Sequence, residues 1–154
     1  MRAIVRPYRD EDASAFKALN VAWISKYFVV EASDLKALDH PDRILADGGA
    51  IVMAELDGEC VGSCALIPYD ASTLEVAKMA VAEHCQGMGL GNALMQTTLE
   101  MAQALGAKRL YIESNSKLTP ALTLYEKFGF VHLPKERRPA SSYARVDVFM
   151  ERML

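Results

Sequence analysis

The segment Gln86-Gly87-Met88-Gly89-Leu90-Gly91 sets three glycines at alternate positions directly before a helix-patterned run. Glycine has no β-carbon, so a ligand can come close to the main chain there. A loop of this kind opening a helix turns several N–H donors toward one point. The positive end of the helix dipole adds to them, and the chemistry implied is a seat for a diphosphate. Three kinds of loop answer to that description. A nucleoside-triphosphate loop needs Lys and then Ser or Thr after its last glycine, and Asn92-Ala93 follow Gly91 instead. A dinucleotide fingerprint needs Gly-x-Gly-x-x-Gly, with an acidic residue about 20 positions on. Gly87, Gly89 and Glu113 suit it, but Asn92 stands at the third glycine, and Ala82 to Gln86 separate the loop from the preceding strand. The third pattern, Gln/Arg-x-x-Gly-x-Gly/Ala between a strand and a long helix, is matched by Gln86, Gly89 and Gly91.

Other reactive residue types form no comparable constellation. Cys60 and Cys64 fall on one face of a strand as small core side chains, Cys85 and His84 precede the loop as turn residues, and no cysteine has the base partner of a nucleophile. Three cysteines do not make a disulfide framework, so a reducing cytoplasm is expected. The three histidines show no ligand spacing with the cysteines, so no metal is expected. The net charge of −3 gives no reason to expect nucleic acid or an acidic membrane as partner. No apolar run approaches the roughly 20 residues of a membrane span, and Met1 to Pro7 lack the apolar core of a signal peptide. With 154 residues, 51% of them hydrophobic, the chain suits one domain over 1–154.

The elements that must hold the loop follow from periodicity. Residues 2–8 alternate as a first strand. Asp10 is placed to cap a helix carrying Phe16, Leu19 and Trp23 at helical spacing, and a second helical piece holds Leu35 and Leu38. Pro41 breaks that piece, and Ile44 and Leu45 resume it until Gly48-Gly49. Strands follow at 50–56, 60–67 and 73–82, the first two joined by the hairpin signal Asp57-Gly58. An amphipathic helix over 89–105 carries Leu94, Met95, Leu99, Ala102 and Leu105, and Gly106 stops it. Then come a strand at 108–113, a helix from about 117 to 128 stopped by Gly129, and strands at 130–133 and 145–153 joined by a polar loop. Antiparallel hairpins followed by a strand–helix–strand crossover give an α/β (α+β) domain: a mixed, mostly antiparallel sheet of about seven strands with helices on both faces.

The loop pattern resembles the coenzyme A loop of the GNAT superfamily of N-acetyltransferases. Leu124-Tyr125-Glu126-Lys127-Phe128-Gly129-Phe130 is similar to that family's second signature, a tyrosine on the last helix before a Gly-Phe stop. The order of elements follows the family fold over nearly the whole chain, and the resemblance implies a sheet splayed between the fourth and fifth strands. One departure is that many members carry Asn seven residues before the tyrosine, where this chain has Leu118, with Asn115 three residues earlier.

The resemblance implies acetyl-CoA as co-substrate and an amine acceptor, with direct attack in a ternary complex. It places the diphosphate on the N–H groups of Gly87, Met88, Gly89, Leu90 and Gly91, beside Gln86. The pantetheine arm would lie along Met79, Ala80 and Val81 like an added strand, with Asn115 a further contact. The N–H of Val81 is the candidate oxyanion donor. An alkyl ammonium of pKa about 10.4 is only about one part in a thousand neutral at pH 7 and costs roughly 4–5 kcal/mol to deprotonate, so a base is useful. Glu75 falls where the histone-acetylating branch keeps a glutamate base, or else it is an exposed strand-end carboxylate. Tyr125 holds the family position of the acid that protonates the leaving thiolate, or else it packs with Leu122 and Phe128.

Trp23, Tyr27 and Glu31 form an aromatic–acidic patch able to hold a cation, or pack in the core. Tyr143, Arg145 and Asp147 alternate and share one strand face, turned to the acceptor cleft, and Lys135, Arg137 and Arg138 are a basic run able to draw an acidic substrate or simply to be solvated. A small-molecule amine is expected as acceptor ahead of a protein, and a homodimer is one assembly open to the chain, since many relatives are dimers. A non-catalytic acyl-CoA sensor or partner module is the alternative, and it would need neither Glu75 nor Tyr125.

Overall fold

Near-continuous runs of apolar and small residues, 50–54 and 61–66, make two strands that are buried on both faces, and Asp57-Gly58 joins them. Both turn residues have positive φ, 51° and 84°, the type I′ geometry whose twist matches the strands it connects. The computed structural model describes residues 3–154. In chain order the elements are β1 (Ala3–Pro7), α1 (Ala13–Tyr27), α2 (Ala32–Leu38), α3 (Pro41–Ala46), β2 (Ala50–Leu56), β3 (Glu59–Pro68), β4 (Thr73–Val81), α4 (Leu90–Ala104), β5 (Arg109–Ser114), α5 (Thr119–Lys127), β6 (Val131–His132) and β7 (Val148–Met153). Of the expected first strand, 2–8, Arg2 lies outside the described residues.

The strands form one sheet in the order β1-β2-β3-β4-β5-β7-β6. Every pair is antiparallel except β4–β5. That parallel pairing covers only Thr73–Arg109, Leu74–Leu110 and Glu75–Tyr111. Beyond it β4 runs on to Val81 and β5 to Ser114 without pairing to each other, so the sheet forks at Glu75, as the family resemblance implies.

One face of the sheet packs Val52, Cys64, Leu66, Val76 and Ile112 against Leu94, Met95 and Leu99 of α4. The other face packs Ile51, Met53 and Ala65 against Phe16 and Ile24 of α1 and Ile44 of α3. Leu105, expected on the buried side of α4, is 48% exposed.

Three local expectations are corrected, and the basic run takes its solvated reading. Asp10 does not cap α1; it opens a 3-10 turn, and Asp12 takes the cap position, its buried carboxylate accepting from the Arg9 N–H at 2.7 Å and pairing with Arg6. Cys60 and Cys64 do not share a face. β3 pairs Gly62 with Ala54 but Cys60 with Glu55, so Val61 bulges and inverts the alternation. Cys64 lies under α4, whereas Cys60 joins the α1 side beside Arg6. The last strand begins at Val148, so the 145–147 segment is irregular. Arg137 pairs with Glu151 and Arg138 donates to the Leu133 carbonyl, so neither arginine of the basic run lines the cavities described below.

Candidate active site

The glycine loop opens α4. Gly87 and Gly89 have φ of 82° and 81°, a left-handed conformation that costs side-chain-bearing residues about 1–2 kcal/mol. The first bond of the helix runs from the Ala93 N–H to the Gly89 carbonyl at 3.1 Å. The N–H groups of Leu90, Gly91 and Asn92 therefore precede it and stay available, as the first donors of any helix do. No atom lies within 4 Å of a β-carbon built on Gly87 or Gly89. What requires glycine there is the backbone conformation, together with room for something to approach.

A groove of about 560 Å³ runs from this loop along the free side of β4 to α5, a size typical of cofactor sites. Met79, Ala80, Val81, Gln86, Gly87, Gly89, Leu90 and Gly91 line it. Met88 does not, and its side chain is 44% exposed. The Ala82 N–H donates to the Val61 carbonyl at 2.8 Å. Strand alternation then turns the N–H of Val81 away from β3 and into the fork.

A second, smaller cavity of about 120 Å³ sits at the crotch of the fork. Glu75 and Glu113 line it from β4 and β5, Trp23, Ile24 and Phe28 from α1 and its end, and Tyr143 and Arg145 from the irregular segment before β7. The two cavities share Trp23, Met79, Leu118 and Tyr125. Tyr125 is thus half-buried where they meet, its ring edge-on to Phe130 with centroids 6.2 Å apart.

β4 bulges at this junction. β3 pairs Ser63 with Ala80 but Ala65 with Ala77, so Lys78 and Met79 together face Cys64. Lys78 has φ of 51°, unusual for a lysine. The Ser63 hydroxyl donates to the Lys78 carbonyl at 2.8 Å, and the Asn20 amide of α1 donates to the Ser63 oxygen at 3.0 Å. Asn20 and Ser63 are both buried. A polar contact in the core thus pins the bulge that carries Met79 to the meeting point.

A charge cluster roofs the smaller cavity. Asp34 of α2, whose side chain is fully buried, accepts from Lys78 at 2.7 Å and from both terminal nitrogens of Arg145 at 2.8 and 2.6 Å. Burial pulls the Asp34 carboxyl up, but the bonds from Arg145 and Lys78 outweigh it and hold its pKa at about 2. Glu31 accepts from Arg145 at 3.3 Å and from the Ala144 N–H at 3.1 Å. Lys78 also donates to the Tyr143 hydroxyl at 3.1 Å.

On the floor, burial and the neighbouring Glu113 push the Glu75 carboxyl up to about 7 against a weaker pull from Lys78. Burial also pushes the Tyr125 phenol well above its ordinary value. Glu75 is therefore half-buried at the fork and not an exposed strand end.

Other expected site residues fall elsewhere. Tyr27 lines the larger groove and not the smaller cavity. Glu31 meets the cavity only through Arg145, and Asp147 instead accepts from the Ser116 N–H and hydroxyl, both at 2.8 Å. Asn115 lines the smaller cavity, but its amide donates to the Arg145 carbonyl at 2.6 Å and accepts from the Lys117 N–H at 2.8 Å. Its side chain thus braces the wall. Sequence reasoning missed Asn20, Asp34, Ser63, Lys78 and Glu113 as site residues. Of these, only Glu113 gives a sequence signal, as the acidic residue about 20 positions past the glycine loop that a dinucleotide fingerprint asks for.

Among the described residues no helix is long and apolar enough to cross a membrane. The family model described as "Acetyltransferase (GNAT) family" matches residues 16–130. An uncharacterized N-acetyltransferase of Escherichia coli K12, YjgM, is 35% identical over 89 residues, 56% of this chain and 53% of that protein. The chain thus spans about half the length of that relative. A GNAT-family acetyltransferase structure from Staphylococcus aureus Mu50 superposes with a TM-score of 0.89, covering 99% of both chains at 16% identity. The structure of yncA from Salmonella typhimurium with acetyl-CoA gives 0.78 over 99% of this chain and 94% of that one, at 18% identity. At such identities these two structures speak for the fold alone.

Proposed function

Because the chain belongs to the GNAT acetyltransferase family, we propose that it moves an acetyl group from acetyl-CoA to an amine by direct attack in a ternary complex. The observation that carries this reading is the meeting of the two cavities at Met79 and Tyr125, with Glu75 in the smaller one. The larger groove has the loop, the open strand edge and the volume for coenzyme A. The smaller one has a carboxylate and room for the end of a small acceptor: about 120 Å³ is the space of roughly four waters.

In this reading the diphosphate rests on main-chain N–H groups from Gly87 to Asn92, and the thioester lies beside Met79 to Val81. The ammonium loses its proton to Glu75, and the free amine attacks the thioester carbon. The N–H of Val81, aimed into the fork, stabilises the oxygen as it gains charge. The carbon–sulfur bond breaks, the Tyr125 hydroxyl, protonated at neutral pH, gives its proton to the sulfur, and the second proton that the nitrogen sheds as the amide forms returns to the Tyr125 oxygen. With Glu75 near pH 7, kcat/KM rises with pH through about 7 as the base ionises.

Calorimetric titration of acetyl-CoA, followed by thiol-release assays on a panel of amines, tests the proposal. The expected result is binding heat, thiol release with some amines, and at least a hundredfold loss of turnover in Glu75→Gln, within the usual range for a lost general base. Absence of binding heat, or full turnover in that variant, overturns it.

A further inference from the structure

The charges around the smaller cavity do not balance on the floor. Lys78 and Arg145 line it, and both are already paired: Lys78 with Asp34, and Arg145 with Asp34 and Glu31. Two cations and two carboxylates close that account within the roof. Glu113 takes its hydrogen bonds from neutral groups, the Tyr111 hydroxyl at 2.7 Å and the Ser141 hydroxyl at 2.7 Å, one on each carboxylate oxygen. Two fixed donors hold it in one orientation and leave its charge in place. Glu75 faces the same space from the other arm of the fork, next to Tyr111 in register. The other walls include the Trp23 and Phe28 rings, Ile24, the phenols of Tyr125 and Tyr143, and the neutral amides of Asn20 and Asn115.

We propose that Glu113 is a specificity-determining residue, making the fork, with Glu75, a seat for a cationic primary amine that bears no carboxylate close to the reacting nitrogen. The inference rests on the acetyl-transfer reading above and names its acceptor class. The ammonium enters charged, held between the two carboxylates with aromatic faces beside it. One N–H bond then breaks toward Glu75, which becomes the neutral acid. An acceptor with its own carboxylate brings that group toward Glu113, and Lys78 and Arg145 offer it little because Asp34 and Glu31 already take their donors. The groups facing Glu75 are Glu113 and Tyr111 from β5, Lys78 from β4, Tyr125 from α5, and Tyr143 and Arg145 from the segment before β7. Of these, Glu113 is the like charge. Its removal moves the acidic limb of the rate profile to lower pH, a response that loss of packing alone does not produce.

The test pairs 1-aminobutane and 1,4-diaminobutane with 4-aminobutanoate. Each is titrated by calorimetry into the full chain loaded with coenzyme A, and each is assayed with acetyl-CoA by thiol release. Expected are binding of both amines roughly tenfold or more tighter than 4-aminobutanoate, a gap that closes in Glu113→Gln, and an acid limb displaced by roughly one pH unit in that variant. Glu113→Asp restores part of the selectivity, and Ser141→Ala, which keeps the carboxylate but frees one oxygen, gives an intermediate loss. These two variants carry the test if Glu113→Gln does not fold. Equal binding of all three compounds to the parent, or unchanged selectivity in the Glu113 variants, overturns the proposal. Amine binding to the coenzyme A complex without thiol release from acetyl-CoA would sink the acetyl-transfer reading instead and leave the seat standing.

Discussion

Glu75 shows how one position can serve catalysis at a cost to the fold. Its carboxyl titrates at about 7 in the folded chain against 4.5 for an ordinary glutamate, because burial and Glu113 both oppose the charge. The unfolded chain therefore ionises first. Below about pH 4.5 the group is neutral in both states and has no effect. Between 4.5 and 7 the folded state loses ground, and above 7 the full penalty applies, on the order of 1–3 kcal/mol. Glu75→Gln should raise the melting temperature at pH 8 by several degrees and leave it unchanged at pH 4. Thermal melts at the two values check this, and equal shifts at both would show that Glu75 is not held away from its charge. Tyr125 is tested differently. Phenylalanine fills nearly the same space beside Phe130, so a tyrosine that only packs loses nothing on substitution. Tyr125→Phe is expected to lower turnover at least tenfold with coenzyme A affinity nearly unchanged, read by steady-state rates and calorimetry. Full activity would remove the acid role.

At the scale of elements, the bulge in β4 joins the two cavities. Its lock is the Ser63 hydroxyl on the Lys78 carbonyl, itself held by Asn20. Ser63→Ala leaves the half-buried Lys78 carbonyl and part of the buried Asn20 amide without these partners and is expected to cost about 1–3 kcal/mol. Because Met79 sits on the bulge, kcat/KM should fall severalfold at a temperature where the variant is still folded. Chemical denaturation and assays at low temperature separate the two effects, and a stability loss with unchanged kcat/KM would confine the bulge to a packing role. None of this is legible in Glu75-Val76-Ala77-Lys78-Met79-Ala80-Val81, which reads as an unbroken strand. Features fixed by local chemistry were legible: the Asp57-Gly58 turn, the glycine loop opening α4, and the Gly106 and Gly129 stops, each with positive φ. Features fixed by a distant partner were not. Cys60 and Cys64 have the spacing of one face, and a bulge opposite β2 separates them. Residues 145–147 alternate like a strand, but the Asn115 amide, Ser116 and Asp34 take their polar groups, and the ladder starts only at Val148.

At the scale of the molecule, α2, the β4 bulge and the segment before β7 lie far apart in sequence and meet on one carboxylate. Asp34 draws Lys78 and Arg145 together over the mouth of the smaller cavity, and its side chain is fully buried while that of Lys78 is 6% exposed. Replacing buried ion networks by apolar groups often costs little, but removing one partner leaves uncompensated charge and costs about 3–5 kcal/mol. Asp34→Asn is therefore expected to destabilise the chain by that order at neutral pH. The sign with pH follows from the depressed carboxyl. Its stabilising effect is fully present above the ordinary value of 3.8 and is lost as pH falls through about 2. Between pH 4 and 2 the parent should lose stability, while the variant, with no carboxyl to titrate at this position, should follow a flatter slope. The same substitution loosens the roof and leaves the glycine loop untouched. Acceptor KM should then rise several times more than the dissociation constant of coenzyme A. Melting curves against pH, together with separate titrations of the two ligands, decide the matter. Parallel slopes, or equal losses for both ligands, would mean that the roof holds the fold in general and not the acceptor cavity in particular.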